Sequence, residues 1–216
     1  MRSRGGAGTF AEGYRRAQII ACVIEVVAER GYARASVRTI AARVGVAMNV
    51  VLYHFGSKAA LMESVVEHVY TIAEQELREA MASAGDPRQR LAAYVRGCVG
   101  FAWAHRDETT ALGEIFANLR RADGSLRYGP AENAPMIDFV AGLLREGQAS
   151  GRFADFDPRV MAFTIRAAID ALPATFATDP GIDGRQYADQ LAAIIDRAVG
   201  AAGGGPDRGT SGVTAT

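Results

Sequence analysis

The sequence predicts an all-α fold, with a small basic N-terminal head of three helices followed by an acidic helical bundle of about six. Three observations carry this reading. Apolar residues recur at i, i+3, i+4 and i+7, the period of helices with one buried face, and β-branched runs are scarce. Helix punctuation is frequent: Asp-Pro or Ser before an apolar run and glycine after it. Charge is unevenly divided. Residues 1–58 hold nine Lys or Arg against three Asp or Glu, while the whole chain balances 24 against 24. The neutral total thus joins a basic head to an acidic body, and a polyanion is the simplest partner for the head.

Residues 1–8, MRSRGGAG, read as a disordered basic arm, and the head spans 9–57. Helix one is expected from about Ala11 to Arg30, with Ile20, Val23, Ile24 and Val27 inward and Gly31 as its stop. Ser36 can cap a second helix whose Val37, Ile40, Ala41 and Val44 share one face and which Gly45 ends. A third runs from about Met48 to His54, with Val51 and Phe55 at i, i+4 before Gly56-Ser57. Two short helices joined by a glycine-containing turn match a helix-turn-helix, whose second helix enters the DNA major groove. The same pattern suits two core helices of any α-helical domain, and the basic charge favours the DNA reading.

The body spans residues 58–200. Ser57 caps a helix expected through Leu61, Val65, Val69, Ile72 and Leu77 to about Ser83, long enough to link two domains. Asp86-Pro87-Arg88-Gln89 is a strong start signal for a helix carrying Leu91, Tyr94, Val95, Cys98, Val99 and Ala102. Gly97 and Gly100 inside it leave room for a neighbouring helix or a ligand, or are tolerated slack. Asp107 is expected to cap the next helix, with Leu112, Ile115, Phe116 and Leu119. A loop over Asp123–Asn133 follows, and then a helix from Pro135 through Ile137, Val140 and Leu144 that Gly151 stops. Asp157-Pro158 starts another, with a stripe from Met161 to Phe176 that Pro173 should kink. The last runs from about Arg185 to Val199. Residues 201–216, rich in Gly, Ser and Thr, read as a disordered tail.

Several function classes are excluded on the same page. No apolar run approaches the ~20 residues of a membrane span, and no apolar segment follows the basic N-terminus as in a secretory signal, so no membrane partner and a cytoplasmic location are expected. Cys22 and Cys98 lie in apolar helical stretches and read as buried thiols. His54, His68 and His105 are too scattered for a metal cluster, so no metal is expected. There is no P-loop, no dinucleotide-binding glycine motif, no nucleophile elbow and no paired catalytic carboxylates on one helical face. No enzymatic activity and no cofactor are expected.

The stretch 35–58 carries a specific resemblance. Gly31-Tyr32, Ser36 to Ala41, Gly45-Val46 and above all Tyr53-His54-Phe55-Gly56-Ser57-Lys58 with Leu61 resemble the tetracycline-repressor (TetR) family of transcriptional regulators. The resemblance covers about a quarter of the chain; in the body it rests only on helix number and on the segment Gly151–Phe163. It implies operator DNA as partner, a homodimer and a small-molecule effector whose binding releases DNA. It places Ser36, Val37, Arg38 and Thr39 at the DNA, with Ser36, Arg38 and Thr39 on phosphate. Ala47, Met48, Asn49, Val50, Tyr53 and His54 then face the major groove, and Lys58 at a helix N-terminus holds a backbone phosphate. Two positions depart from the family pattern. Ala47 stands where a serine or threonine usually caps the recognition helix, and Leu52 stands where a phosphate-binding tyrosine usually sits. They keep open an alternative, an effector-binding module that acts through protein partners with weakened DNA reading.

If the resemblance extends to the body, an unknown effector lies among Tyr94, Cys98, Phe101, Trp103, Phe116, Leu119, Met136, Phe139, Leu143 and Ile165. Trp103 is then the stacking surface and Arg120 the polar anchor; ordinary core is the other reading of these residues. Met161, Ile165, Ile169, Leu172 and Phe176 of one helix and Tyr187, Leu191, Ile194, Ile195 and Ala198 of the next form two apolar stripes. They suit either intrachain core or a four-helix dimer interface, and the resemblance favours the dimer.

Overall fold

Caps and glycines set most helix ends in the computed structural model, which describes residues 5–179 and 181–200. The head comprises α1 (Gly5–Arg30), a 3₁₀ turn over Tyr32–Arg34, α2 (Val37–Val44) and α3 (Met48–Phe55). The body follows as α4 (Lys58–Met81), α5 (Pro87–Ala104), α6 (Arg106–Asn118), α7 (Pro130–Ala149), α8 (Pro158–Asp170), α9 (Leu172–Thr178) and α10 (Gly184–Val199). Ser36, Ser57, Asp86, Asp157 and Asp183 each accept a backbone N–H from the first turn of the helix they precede, satisfying donors that have no intrahelical partner. Gly45 closes α2 in the left-handed region (φ 78°, ψ 33°), which a residue with a Cβ enters only at a cost.

The helices bury two apolar clusters. The first joins α1, α2 and α3 to α4 and α6, through Ile19, Val23, Ile40, Phe55, Leu61 and Ile115. The second joins α5 to α7, α8, α9 and α10, through Tyr94, Val99, Leu144, Ile165, Leu172 and Phe176. The core started by the head therefore continues into the body. Helix α5 lies on the seam: it packs on α4 along one flank and on α7 and α10 along others. An ion pair from Arg88 Nη2 to Asp196 Oδ2 (2.7 Å) ties the start of α5 to the end of α10.

The structure departs from the sequence reading at several element ends. Helix α1 begins at Gly5, so residues 5–8 of the expected arm are helical; residues 1–4 and the expected tail 201–216 lie outside the described residues. Helix α7 starts at Pro130, because Glu132 reaches back to the Gly129 N–H (2.9 Å) and Pro130 takes the first turn, which leaves Pro135 inside the helix. Asp107 lies in the first turn of α6, where its charge favours the helix dipole without capping it. The expected break near Pro173 falls at Ala171, between α8 and α9. Contrary to the sequence reading, Pro158–Thr178 is long and apolar enough to cross a bilayer by length and composition, yet the break interrupts it and Ile165, Leu172 and Phe176 sit in the core.

Two stability tests follow. A Cβ built on Gly147 would collide with the ring of Phe153, so Gly147→Ala should cost about 1–3 kcal/mol in a urea melt. Arg88 holds Asp196 below its ordinary aspartate pKa, so their pair stabilises the fold above the unfolded value and is lost as pH falls through the folded one. Arg88→Gln should therefore lower the urea midpoint slightly near neutral pH, and the difference from wild type should shrink as pH falls below the ordinary aspartate range.

Candidate nucleic-acid interface

Helix α3 presents a continuous exposed stripe. Val51 and Phe55 are buried in the head core, which turns Met48, Asn49, Leu52 and Tyr53 outward. Tyr53 is 78 % exposed and Met48 45 %. Val50 and His54 lie half-buried at the edges of this stripe, and Arg16 donates to the His54 carbonyl while sitting 4.4 Å above the Phe55 ring. The His54 Nδ1 is buried without a partner among the described residues. Ala47 is extended and makes no side-chain cap, so the departure noted in the sequence leaves the first N–H groups of α3 without that acceptor. Leu52, absent from the residues expected at DNA, belongs to the exposed stripe (36 %). The signal for it was helical periodicity, since it is four residues on from Met48.

Beside α3, the start of α2 offers cations and free N–H groups. Ser36 Oγ accepts from the Thr39 N–H (3.1 Å) and bonds the Thr39 hydroxyl (2.8 Å), so both side chains are engaged in the cap. Val37 packs against the head core. Arg38 is exposed, as is Arg34 in the preceding turn, and neither forms an ion pair among the described residues. Arg43 pairs with Glu29 (2.8 Å) and Glu25 (3.5 Å) on α1, so its charge is already matched.

Lys58 differs most from expectation. Its Nζ donates to the Tyr32 carbonyl (2.8 Å) and lies 4.0 Å from the centroid of the Tyr32 ring. Burial pushes its ammonium below the ordinary lysine pKa. The Tyr32 N–H in turn donates to Glu114 Oε2 (2.9 Å) on α6. The main chain of Tyr32, in the α1–α2 turn, is thus held from α4 at its carbonyl and from α6 at its N–H. Lys58 is a clamp within the chain, in place of the free phosphate ligand expected from its position.

The residues expected around an effector divide. Leu119, Leu143 and Ile165 are sealed in the cores. Trp103 packs edge-on to Phe176 (5.2 Å) with Arg106 over its face (3.9 Å), and Arg120 is exposed in the α6–α7 loop, donating to the Gly124 carbonyl (3.2 Å). Each thus has partners within the chain, away from Tyr94, Cys98 and Phe139. Phe101 stacks on His105 (4.4 Å), and Met136 is half-buried on α7. Tyr94, Cys98, Phe116 and Phe139 instead border a seam where α4 and α6 on one flank of α5 face α7 and α8 on the other. Arg166, which sequence reading missed, sits there with its Nη1 3.0 Å from the Tyr94 hydroxyl. Its only signal was a lone arginine between the apolar positions Ile165 and Ile169. A separate cleft of about 380 Å³, lined by Glu25, His68, Trp103, Arg106, Asp107 and Glu108 among others, lies where α1 meets the α5–α6 junction and shares only Trp103 with the expected pocket.

Among the expected dimer residues, Ile165, Ile169, Leu172, Phe176 and Ile195 are buried within the chain, and Met161, Tyr187 and Leu191 are half-buried. Ile194 and Ala198 remain exposed on α10, and Val160 (63 %) and Phe163 (53 %) are exposed on α8. The stripes therefore face the chain's own core, and the apolar surface left outside is one helical face further round.

Comparison with known proteins matches this head. Residues 19–65 match the family profile described as bacterial regulatory proteins, tetR family. The head is therefore similar to the N-terminal domain of tetR-family regulators. Its similarity to the A-factor receptor protein of Streptomyces griseus is 28 % identity over 164 residues, 76 % of this chain and 55 % of that protein. To the HTH-type transcriptional activator FasR of Mycolicibacterium smegmatis it is 36 % over 87 residues, 40 % of each chain. The alignments thus span about half or less of the relatives' own length. The crystal structure of AibR in complex with isovaleryl coenzyme A and operator DNA shares the fold, with TM-score 0.70 and 18 % identity over 83 % of this chain and 97 % of that one.

The clamp makes a differential prediction. Arg38→Ala should flatten the salt dependence of DNA affinity by about 0.9 in log–log slope, one phosphate contact. Lys58→Met should leave that slope unchanged and instead lower the urea midpoint, by about 1 kcal/mol of stability. Fluorescence anisotropy across a salt series and equilibrium denaturation read the two outcomes separately.

Proposed function

We propose that the protein is a homodimeric transcriptional regulator, most simply a cytoplasmic repressor, that holds operator DNA through α2 and α3 and releases it when a small molecule enters the body. The observation that carries this is the exposed stripe Met48, Asn49, Leu52 and Tyr53, with the exposed Arg34 and Arg38 that form no ion pair among the described residues. Apolar side chains with one amide suit thymine methyls and adenine edges, and the exposed arginines and the α2 N-terminus suit phosphate. The match of the head to the tetR profile and the operator complex of the like-folded AibR support the same reading.

A dimer is supported by apolar surface that the chain leaves uncovered. Only 28 % of the apolar window in Pro158–Thr178 is buried, and Val160, Phe163 and Ile194 are each more than half exposed. Two copies joined through α8 and α10 would cover these side chains and present two heads to successive major grooves, ~34–36 Å apart. Coupling from body to head would run through Glu114 and the Tyr32 peptide, since α6 and α4 both grip the turn that precedes α2.

Selection of bound fragments from random duplex DNA, followed by gel shift, tests the reading; retention of no duplex at low salt would sink it. Phe163→Glu should give a monomer by light scattering and lower operator affinity at least tenfold, because one head alone holds half a site.

A further inference from the structure

We infer that the body seam binds an apolar monocarboxylate, with Arg166 as the group that takes its carboxylate. This rests on the reading of the body as an effector domain and adds the chemical class of the effector.

Arg166 is enclosed, with only 14 % of its side chain exposed, and its Nη1 meets the Tyr94 hydroxyl at 3.0 Å. Its counter-ion is Asp170, one turn on along α8, whose side chain is 63 % exposed and whose carboxylate bonds Nη2. An arginine inside a helical body whose neutralising partner faces water is matched only from one side. A planar guanidinium accepts a carboxylate on two parallel N–H groups, so an incoming carboxylate can take the place that Asp170 now holds. The exchange is carboxylate for carboxylate, which leaves the charge of the enclosed pair unchanged and spares the seam an unmatched ion.

The surroundings suit an apolar tail. Tyr94 lies 5.7 Å from the exposed ring of Phe139 on α7, and Tyr70 on α4 lies 6.2 Å from Phe116 on α6. Tyr70 is 37 % exposed, yet its phenol is pushed above the ordinary tyrosine pKa by desolvation, as is the thiol of the half-buried Cys98. These groups flank α5, between α4 and α6 on one side and α7 and α8 on the other, and Arg166 reaches α5 at the Tyr94 hydroxyl.

Calorimetric titration of the full-length, DNA-free protein with octanoate, decanoate, phenylpropionate and naphthoate, each beside its primary amide, tests the assignment. At least one acid should bind tenfold or more tightly than its amide. Arg166→Gln should reduce that acid to the affinity of the amide, and Asp170→Asn should raise acid affinity several-fold by removing the internal rival. Equal binding of acids and amides, binding of no acid, or Asp170→Asn leaving acid affinity unchanged or lower would each overturn it. The Asp170→Asn arm decides if Arg166→Gln does not fold. DNA affinity is measured in parallel. An acid that binds the free protein without altering its hold on DNA upholds the site and removes the effector reading, whereas DNA binding with no acid binding does the reverse.

Discussion

The peptide of Tyr32 holds the head in place. Its N–H donates to Glu114 of α6 and its carbonyl accepts from Lys58 of α4, while the Tyr32 ring shields the lysine. A residue's main chain has one donor and one acceptor, and here both reach the body, although the carbonyl also accepts the local Ala35 N–H (3.3 Å). Because α2 begins five residues later, the orientation of the helix-turn-helix follows from two side chains that belong to other helices. Charge-assisted bonds of this kind are stronger and more directional than neutral ones, which suits an element that must transmit position.

The same economy of charge shapes the DNA-facing surface. Nine basic residues make the head cationic in sequence, but the structure commits several of them internally. Arg43 is matched by α1 carboxylates, Arg16 by the His54 carbonyl and Lys58 by Tyr32. Arg34 and Arg38 are exposed and form no ion pair among the described residues. Net charge steers a polyanion towards the head over long range, whereas only unpaired groups exchange counterions at contact.

In the body, the division into two apolar clusters leaves α5 lining a seam between them. Polar groups gather there: Tyr94, whose ring lies in the second core, Cys98 and Arg166 find partners in one another and in Asp170 at the margin. A buried arginine is costly unless its N–H groups are met, so its presence at a partly open seam marks a place where another anion is accommodated.

Local chemistry was legible in the residues themselves. Ser36, Gly45, Ser57, Asp86 and Asp157 announce helix ends through bonds made within one turn, and the helices α2 and α3 fall where periodicity puts them. What depended on distant partners was not legible. Lys58 reads as a phosphate ligand until Tyr32, 26 residues away, is seen to take its proton donors. Arg120 reads as an anchor until it is found in a loop, and Arg166 reads as one polar break in an apolar stripe until Tyr94, 72 residues away, meets it. The stripes of α8 and α10 were correct as apolar faces, yet period alone does not say whether such a face meets its own chain or a second copy. The sequence by itself determined the helices, their caps and the basic head, because those follow from interactions a few residues apart. Tertiary structure alone decided which cations are free and which apolar face is left uncovered, because pairing and burial are settled between residues far apart along the chain.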